Sequence, residues 1–120
     1  MKPPERSKIK HWVVFNDDYG GFSISRECAQ FMASRGCQES QELFDRKLGD
    51  DIWLGQLHSD FPRHNPLLVL AVKELGSERA SGSMARLKLH ELRGEVYYID
   101  EYDGAESVVE PHTMQWVTIK

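Results

Sequence analysis

A strand that breaks off into paired glycines and then a helix cap constrains this chain more than any other stretch. Residues Val13 to Ser25 read VVFNDDYGGFSIS. Trp12-Val13-Val14-Phe15 is β-branched and aromatic, which predicts a strand, and Asn16-Asp17-Asp18 ends it. Tyr19-Gly20-Gly21-Phe22 follows as a turn, and Ser25 stands where a helix N-cap belongs. Adjacent glycines let the backbone take positive φ or pass close to another group. Strand, turn and helix start therefore fall within about a dozen residues, with an aromatic ring on each side of the flexible point.

Around this stretch the chain reads as one small α+β domain. Its 120 residues suffice for a single core, with 40% hydrophobic and 28% charged residues. Residues 1–8 form a solvated tail interrupted by Pro3-Pro4, and residues 9–120 form the domain. Ile9 to Phe15 is expected to be a central strand, because an unbroken apolar run suits cover on both faces. Ser25 to about Arg35 is a helix with Cys28, Phe31 and Met32 on one face, Glu27 and Arg35 matching its dipole, and Gly36 as its stop. A second helix is expected from Ser40 to Gly49, with Leu43, Phe44 and Leu48 apolar. Asp50 to His64 receives no regular assignment but is apolar enough to pack. Asn65-Pro66 opens a third, mostly apolar helix that Gly76 ends, with Ser77 to Ser83 as a polar loop. The period then shifts to two from Met84 onward. Asp103-Gly104 signals a hairpin between Val96–Ile99 and Ser107–Val109, and Met114 to Ile119 reads as an edge strand after Pro111. The expectation is thus a mostly antiparallel sheet, built from the N-terminal strand and a C-terminal β-meander, with about three helices packed on it.

Charge and cysteine content narrow the function classes. The net charge is −4, which argues against direct nucleic-acid binding. Glu91, Glu95, Asp100, Glu101, Asp103, Glu106 and Glu110 make the stretch from Glu91 to Glu110 acidic, against Arg93 alone. Such a face suits a solvated hairpin or a basic partner surface. Cys28 and Cys37 match no zinc or redox spacing, and two free thiols without a signal peptide indicate the cytoplasm. The longest apolar run, Leu67 to Val72, is too short to cross a membrane.

No reaction is legible. The Gly-Gly turn lacks GxGxxG and GxxxxGK[ST] context, and Asp17 and Asp18 would repel a phosphate. Asp100, Glu101, Asp103 and Glu106 cluster at a hairpin tip, which is normally convex and so ill suited to metal or paired-carboxylate chemistry. His58-Ser59-Asp60 is contiguous, whereas triads are assembled by the fold. His11, His64, His90 and His112 are scattered. Tyr19, Phe22, Tyr97, Tyr98, Tyr102 and Trp116 gather at turns and strand ends, where rings anchor partners, with Arg63 as a bidentate donor.

Tyr19-Gly20-Gly21-Phe22 with Ser25 resembles the YGGFxxS signature of a family of small bacteriophage and prophage proteins. The likeness continues at Arg63-His64-Asn65-Pro66, Glu74-Leu75-Gly76, Ala85-Arg86-Leu87 and Ile99-Asp100-Glu101-Tyr102-Asp103-Gly104, with Glu106, Glu110 and His112 after it. It covers about half of the chain. The chain departs from the family ending, since Thr113 follows His112 and Trp116 comes later. The resemblance implies phage origin and a host-cell cytoplasmic setting, and it carries no activity.

The resulting expectation is a non-enzymatic binding protein that acts on a host protein, in counter-defence. Its contact residues are Tyr19, Gly20, Gly21, Phe22, Ser25, Arg63, Glu101, Tyr102, Asp103 and Glu106. No cofactor or metal is implied, and an edge strand makes a homodimer plausible. Two alternatives stand beside it: a sponge for a signalling nucleotide, with Arg63 in an aromatic pocket, or a small enzyme using Asp17, Asp18, Glu101 or Asp103.

Overall fold

In the computed structural model, which describes residues 11–45, 51–53 and 62–111, the first strand β1 (His11–Asn16) is closed along both of its edges by different means. On one edge it pairs antiparallel with β4 (Leu87–Leu92), from His11↔Leu92 to Asn16↔Leu87. On the other, the Val14 amide donates to the Arg63 carbonyl at 2.9 Å. The Asn16 amide donates to the Glu106 carboxylate, also at 2.9 Å. These acceptors occupy positions that a third strand would use, and among the described residues the ladder stops at two. Val13 and Val14 are both fully buried, consistent with cover on both faces.

The α+β class is present, and among the described residues there are three helices, but the strands there pair two by two rather than as one sheet. β5 (Tyr98–Tyr102) and β6 (Ala105–Val109) form their own hairpin, with Tyr102↔Ala105 flanking the turn. Asp103 (φ 52°) and Gly104 (φ 90°) are both left-handed, the primed geometry expected of Asp-Gly. β2 (Ile24–Ser25) and β3 (Asp51–Ile52) form a short ladder inside stretches expected to be a turn and an irregular connection. Among the described residues the expected meander therefore does not continue from β4 into β5: β4 pairs with β1, and β5 pairs with β6.

Local caps set the helices. The Ser25 hydroxyl accepts from the Cys28 amide at 3.0 Å and starts α1 (Arg26–Ala33). Gly36 takes φ 97°, and the Gly36 and Cys37 amides bond back to Ala33 and Met32. Arg35 lies beyond the last turn rather than in it. Its guanidinium donates to the Phe31 carbonyl and stacks 3.6 Å from that ring. α2 (Gln38–Asp45) begins two residues earlier than expected. Asn65 caps α3 (Pro66–Ala80) by accepting from Leu67 and Leu68. Gly76 interrupts α3 at φ 84°, as its sequence position suggested. The following residues are not the expected polar loop, however: another helical turn buries Ala80, and the Ser81 amide bonds to Ser77 at 3.0 Å.

The core joins Val14 and Leu87 to Ile24, Ile52, Cys28, Met32, Leu43, Leu68, Ala71 and Val72. Among the described residues no helix is long and apolar enough to cross a membrane. The tail, His58-Ser59-Asp60, the end of the second helix and the Met114–Ile119 strand lie outside the described residues.

Candidate functional site

Asn16, which ends β1, fastens the glycine turn to the acidic hairpin. Its side chain is fully buried. Its Nδ2 donates to the Asp18 carbonyl at 2.6 Å and to the Gly104 carbonyl at 2.8 Å. Its Oδ1 accepts from the Arg86 amide at 2.9 Å. One amide thus satisfies three backbone groups from three segments, in an interior where an unmet polar group is costly. An amide at the end of an apolar strand looks like a strand terminator, and only the fold shows that it bridges residues 88 apart.

Arg63 and Glu106 form the second tie. The guanidinium meets the carboxylate bidentately at 2.5 and 2.8 Å and stacks 3.6 Å from the Phe22 ring centroid. The Arg63 side chain is 23% exposed and that of Glu106 5%. A fork–fork pair this sheltered is geometrically specific, and removing one partner leaves a stranded charge. Both guanidinium ends of Arg63 are thereby engaged, so the expected open donor points inward.

The glycine pair is gripped from several sides. A Cβ at Gly20 would overlap the Met84 carbonyl and side chain, and one at Gly21 would come 3.1 Å from the Trp53 ring. A Cβ at Gly104 would collide with the Tyr19 carbonyl and lie 2.7 Å from the Gly21 nitrogen. The two turns therefore touch backbone to backbone, which glycine alone permits.

The ten residues singled out from the sequence divide into two groups. Phe22, Ser25, Arg63 and Glu106 face inward: Phe22 and Glu106 are buried, Ser25 caps α1 and donates to the Arg79 carbonyl, and Arg63 is paired. Tyr19, Glu101, Tyr102 and Asp103 face solvent, with Gly20 and Gly21 as the hinge between the groups. Trp53 and Met84 join the outward set, although the sequence reading treated Trp53 as packing and Met84 as the point where the period changes. Tyr19 (67%), Met84 (62%), Tyr102 (79%) and Trp53 (38%) are large apolar side chains left exposed. No local signal marked them as neighbours, because they come from four separate segments.

Carboxylates edge this face. Asp18 adjoins Tyr19 and accepts its amide at 2.8 Å, while Glu101 and Asp103 flank Tyr102. Asp17 bonds Lys88 at 2.8 Å, and that hydrogen bond holds its carboxyl below the usual range. Among the described residues no group of three or more His, Cys, Asp or Glu converges to hold a metal. What the arrangement provides chemically is a braced platform of rings and carboxylates. Comparison of the chain with family models, curated proteins and solved structures finds no match.

Proposed function

We propose that this chain is a non-enzymatic, phage-type binding protein that acts on a host protein in the cytoplasm, offering it an acidic and aromatic face. The observation that carries this reading is the exposure of Tyr19, Trp53, Met84 and Tyr102 around a glycine pair held in place by Asn16 and the Arg63–Glu106 pair. Large apolar side chains displayed together on a braced surface are the usual substance of a protein contact. Asp18, Glu101 and Asp103 at its margin select a basic partner segment, whose Lys or Arg side chains both pair with carboxylates and stack on tyrosine rings. The phage-type and counter-defence parts of the reading rest on the YGGFxxS resemblance.

The geometry gives less support to the alternatives. A nucleotide sponge centred on Arg63 needs a free guanidinium, and Glu106 engages it. An enzyme built on Asp17, Asp18, Glu101 and Asp103 needs two of these carboxyls converging in a cleft, whereas Glu101 and Asp103 face solvent at the hairpin tip and Asp17 is paired with Lys88.

The test is a pull-down from bacterial lysate comparing wild type with Tyr19→Ser/Tyr102→Ser, chosen because both side chains face solvent. Phe22 and Arg63 are unsuitable, since changing them disturbs packing. One host protein retained by wild type, released by added salt and absent with the folded variant supports the proposal. Identical protein profiles from both baits refute it. If instead the free protein dimerises and the variant does not, the face serves a second copy of the chain.

A further inference from the structure

α3 carries two apolar faces, and the core fully covers one of them. Leu68, Ala71 and Val72 are buried in the core, while Pro66, Val69, Leu70 and Lys73 follow the i, i+3, i+4, i+7 spacing along another stripe, of which Val69 also packs partly against the core. That second stripe forms one wall of a cleft of about 580 Å³, distinct from the glycine-turn face. Trp12, Leu92 and Tyr97 complete its apolar lining. The size and character fit a small-molecule site: a concave apolar body with few polar groups.

Those polar groups are mostly donors. Lys73 Nζ sits 4.5 Å from the Trp12 ring centroid, and among the described residues it has no carboxylate partner. His64 Nδ1 lies 2.7 Å from the Tyr97 hydroxyl, with the rings edge-on. In the tautomer where the Tyr97 hydroxyl donates to Nδ1, the imidazole proton lies on Nε2, which is then a second donor. His11 adds a further ring to the lining, and Glu95 is its one carboxylate.

We propose that this cleft binds a small organic anion with a flat ring, its charge held by Lys73 and His64 and its ring set against Trp12, Leu70 and Tyr97. Lys73 on an indole face is a cation already positioned, among the described residues, without an ionic partner, and an incoming anion supplies that partner while the ring buries apolar wall. Two sources share this chemistry: an aromatic carboxylic acid and a mononucleotide.

The experiment is an NMR titration of the isotopically labelled full chain with naphthoate and with adenosine monophosphate. The uncharged counterparts, naphthylmethanol and adenosine, are titrated in parallel. The expected result is saturable shifts centred on the Trp12 indole, Val69, Leu70, Lys73 and Tyr97, with the anion about tenfold tighter than its neutral counterpart. Preference for naphthoate identifies the acid source, and preference for the monophosphate identifies the nucleotide. Lys73→Met should lower anion affinity about tenfold and leave the neutral compounds unchanged. Leu70→Asp, a change at a side chain 37% exposed, should abolish anion binding in a protein that still folds. The proposal is overturned if neither anion binds, if charged and neutral compounds bind alike, if the shifts lie away from the cleft, or if Lys73→Met binds as wild type does.

Discussion

Asn16→Asp replaces one NH₂ group by an oxygen of nearly the same size, so its cost reads the bracket rather than a cavity. Oδ1 keeps its bond from the Arg86 amide. The second carboxylate oxygen, however, now faces the carbonyl oxygens of Asp18 and Gly104, at the positions where Nδ2 donated across 2.6 and 2.8 Å. Each of those bonds is worth a net of about 0.5–1.5 kcal/mol. The new charge is fully buried, close to Glu106, which already accepts the residue 16 amide. Arg63, a cation on the same edge of β1, is committed to that same Glu106. An uncompensated buried charge costs about 3–5 kcal/mol, a range that already includes much of the lost hydrogen bonding. The expected destabilisation at neutral pH is therefore about 3–5 kcal/mol, a large part of the stability of a domain this size. Urea denaturation followed by circular dichroism measures it as a fall in midpoint at constant slope. The sign with pH is also set. A carboxyl without a cation partner binds its proton more readily when folded, so the penalty is full above neutrality and shrinks as pH falls. A loss under about 1 kcal/mol, or one identical in acid and at neutrality, would refute the claim that Asn16 bridges the two turns.

Arg63→Met strands the Glu106 carboxylate and is expected to cost about 2–4 kcal/mol, below the figure for a fully buried pair because Arg63 keeps some solvent contact; a double-mutant cycle with Glu106→Gln measures the coupling. Gly104→Ala forces alanine into φ 90° against the Tyr19 carbonyl, with an expected loss of about 1–3 kcal/mol in thermal or urea unfolding. Lys88→Met removes the hydrogen bond that depresses the Asp17 carboxyl, so the Asp17 midpoint in a carbon-detected NMR titration should move up towards the ordinary carboxylate value. Because the folded-state value is the lowered one, the wild-type contribution of Asp17 is present above the unfolded value and fades as pH falls through the folded one. Burial pushes the Cys28 thiol up to about 12, so native Cys28 should resist thiol reagents at mildly alkaline pH and react only as fast as the protein opens.

Local structure was legible wherever its cause lay within a few residues. Ser25, Gly36, Asn65-Pro66 and Asp103-Gly104 each act on backbone groups no more than about four positions away, so caps and turns follow from sequence order. The alternation that begins near Met84 likewise located β4, although not its partner. Chain order alone favours a meander, and nothing near β4 reveals that its partner is β1. The same limit explains the Ser77–Ala80 turn, where burial of Ala80 overrides a polar sequence.

The candidate face was half legible. Tyr19, Tyr102 and the two glycines stood out because a Gly-Gly turn and an Asp-Gly hairpin are visible in isolation. Phe22, Arg63 and Glu106 are residue types that serve a ligand or a fold equally well, and their orientation depends on one another. By itself, then, the sequence determined an α+β chain with its caps, its hairpin and an acidic stretch from Glu91 to Glu110. Only the tertiary structure decided that Asn16 and Glu106, 90 residues apart, close one edge of β1 and press two glycine turns together. It also decided that Met84 stands against Gly20 and Trp53 against Gly21. The physical reason is that buried hydrogen bonds and charge pairs are satisfied between segments brought together by folding, and neither partner carries a local mark of the other.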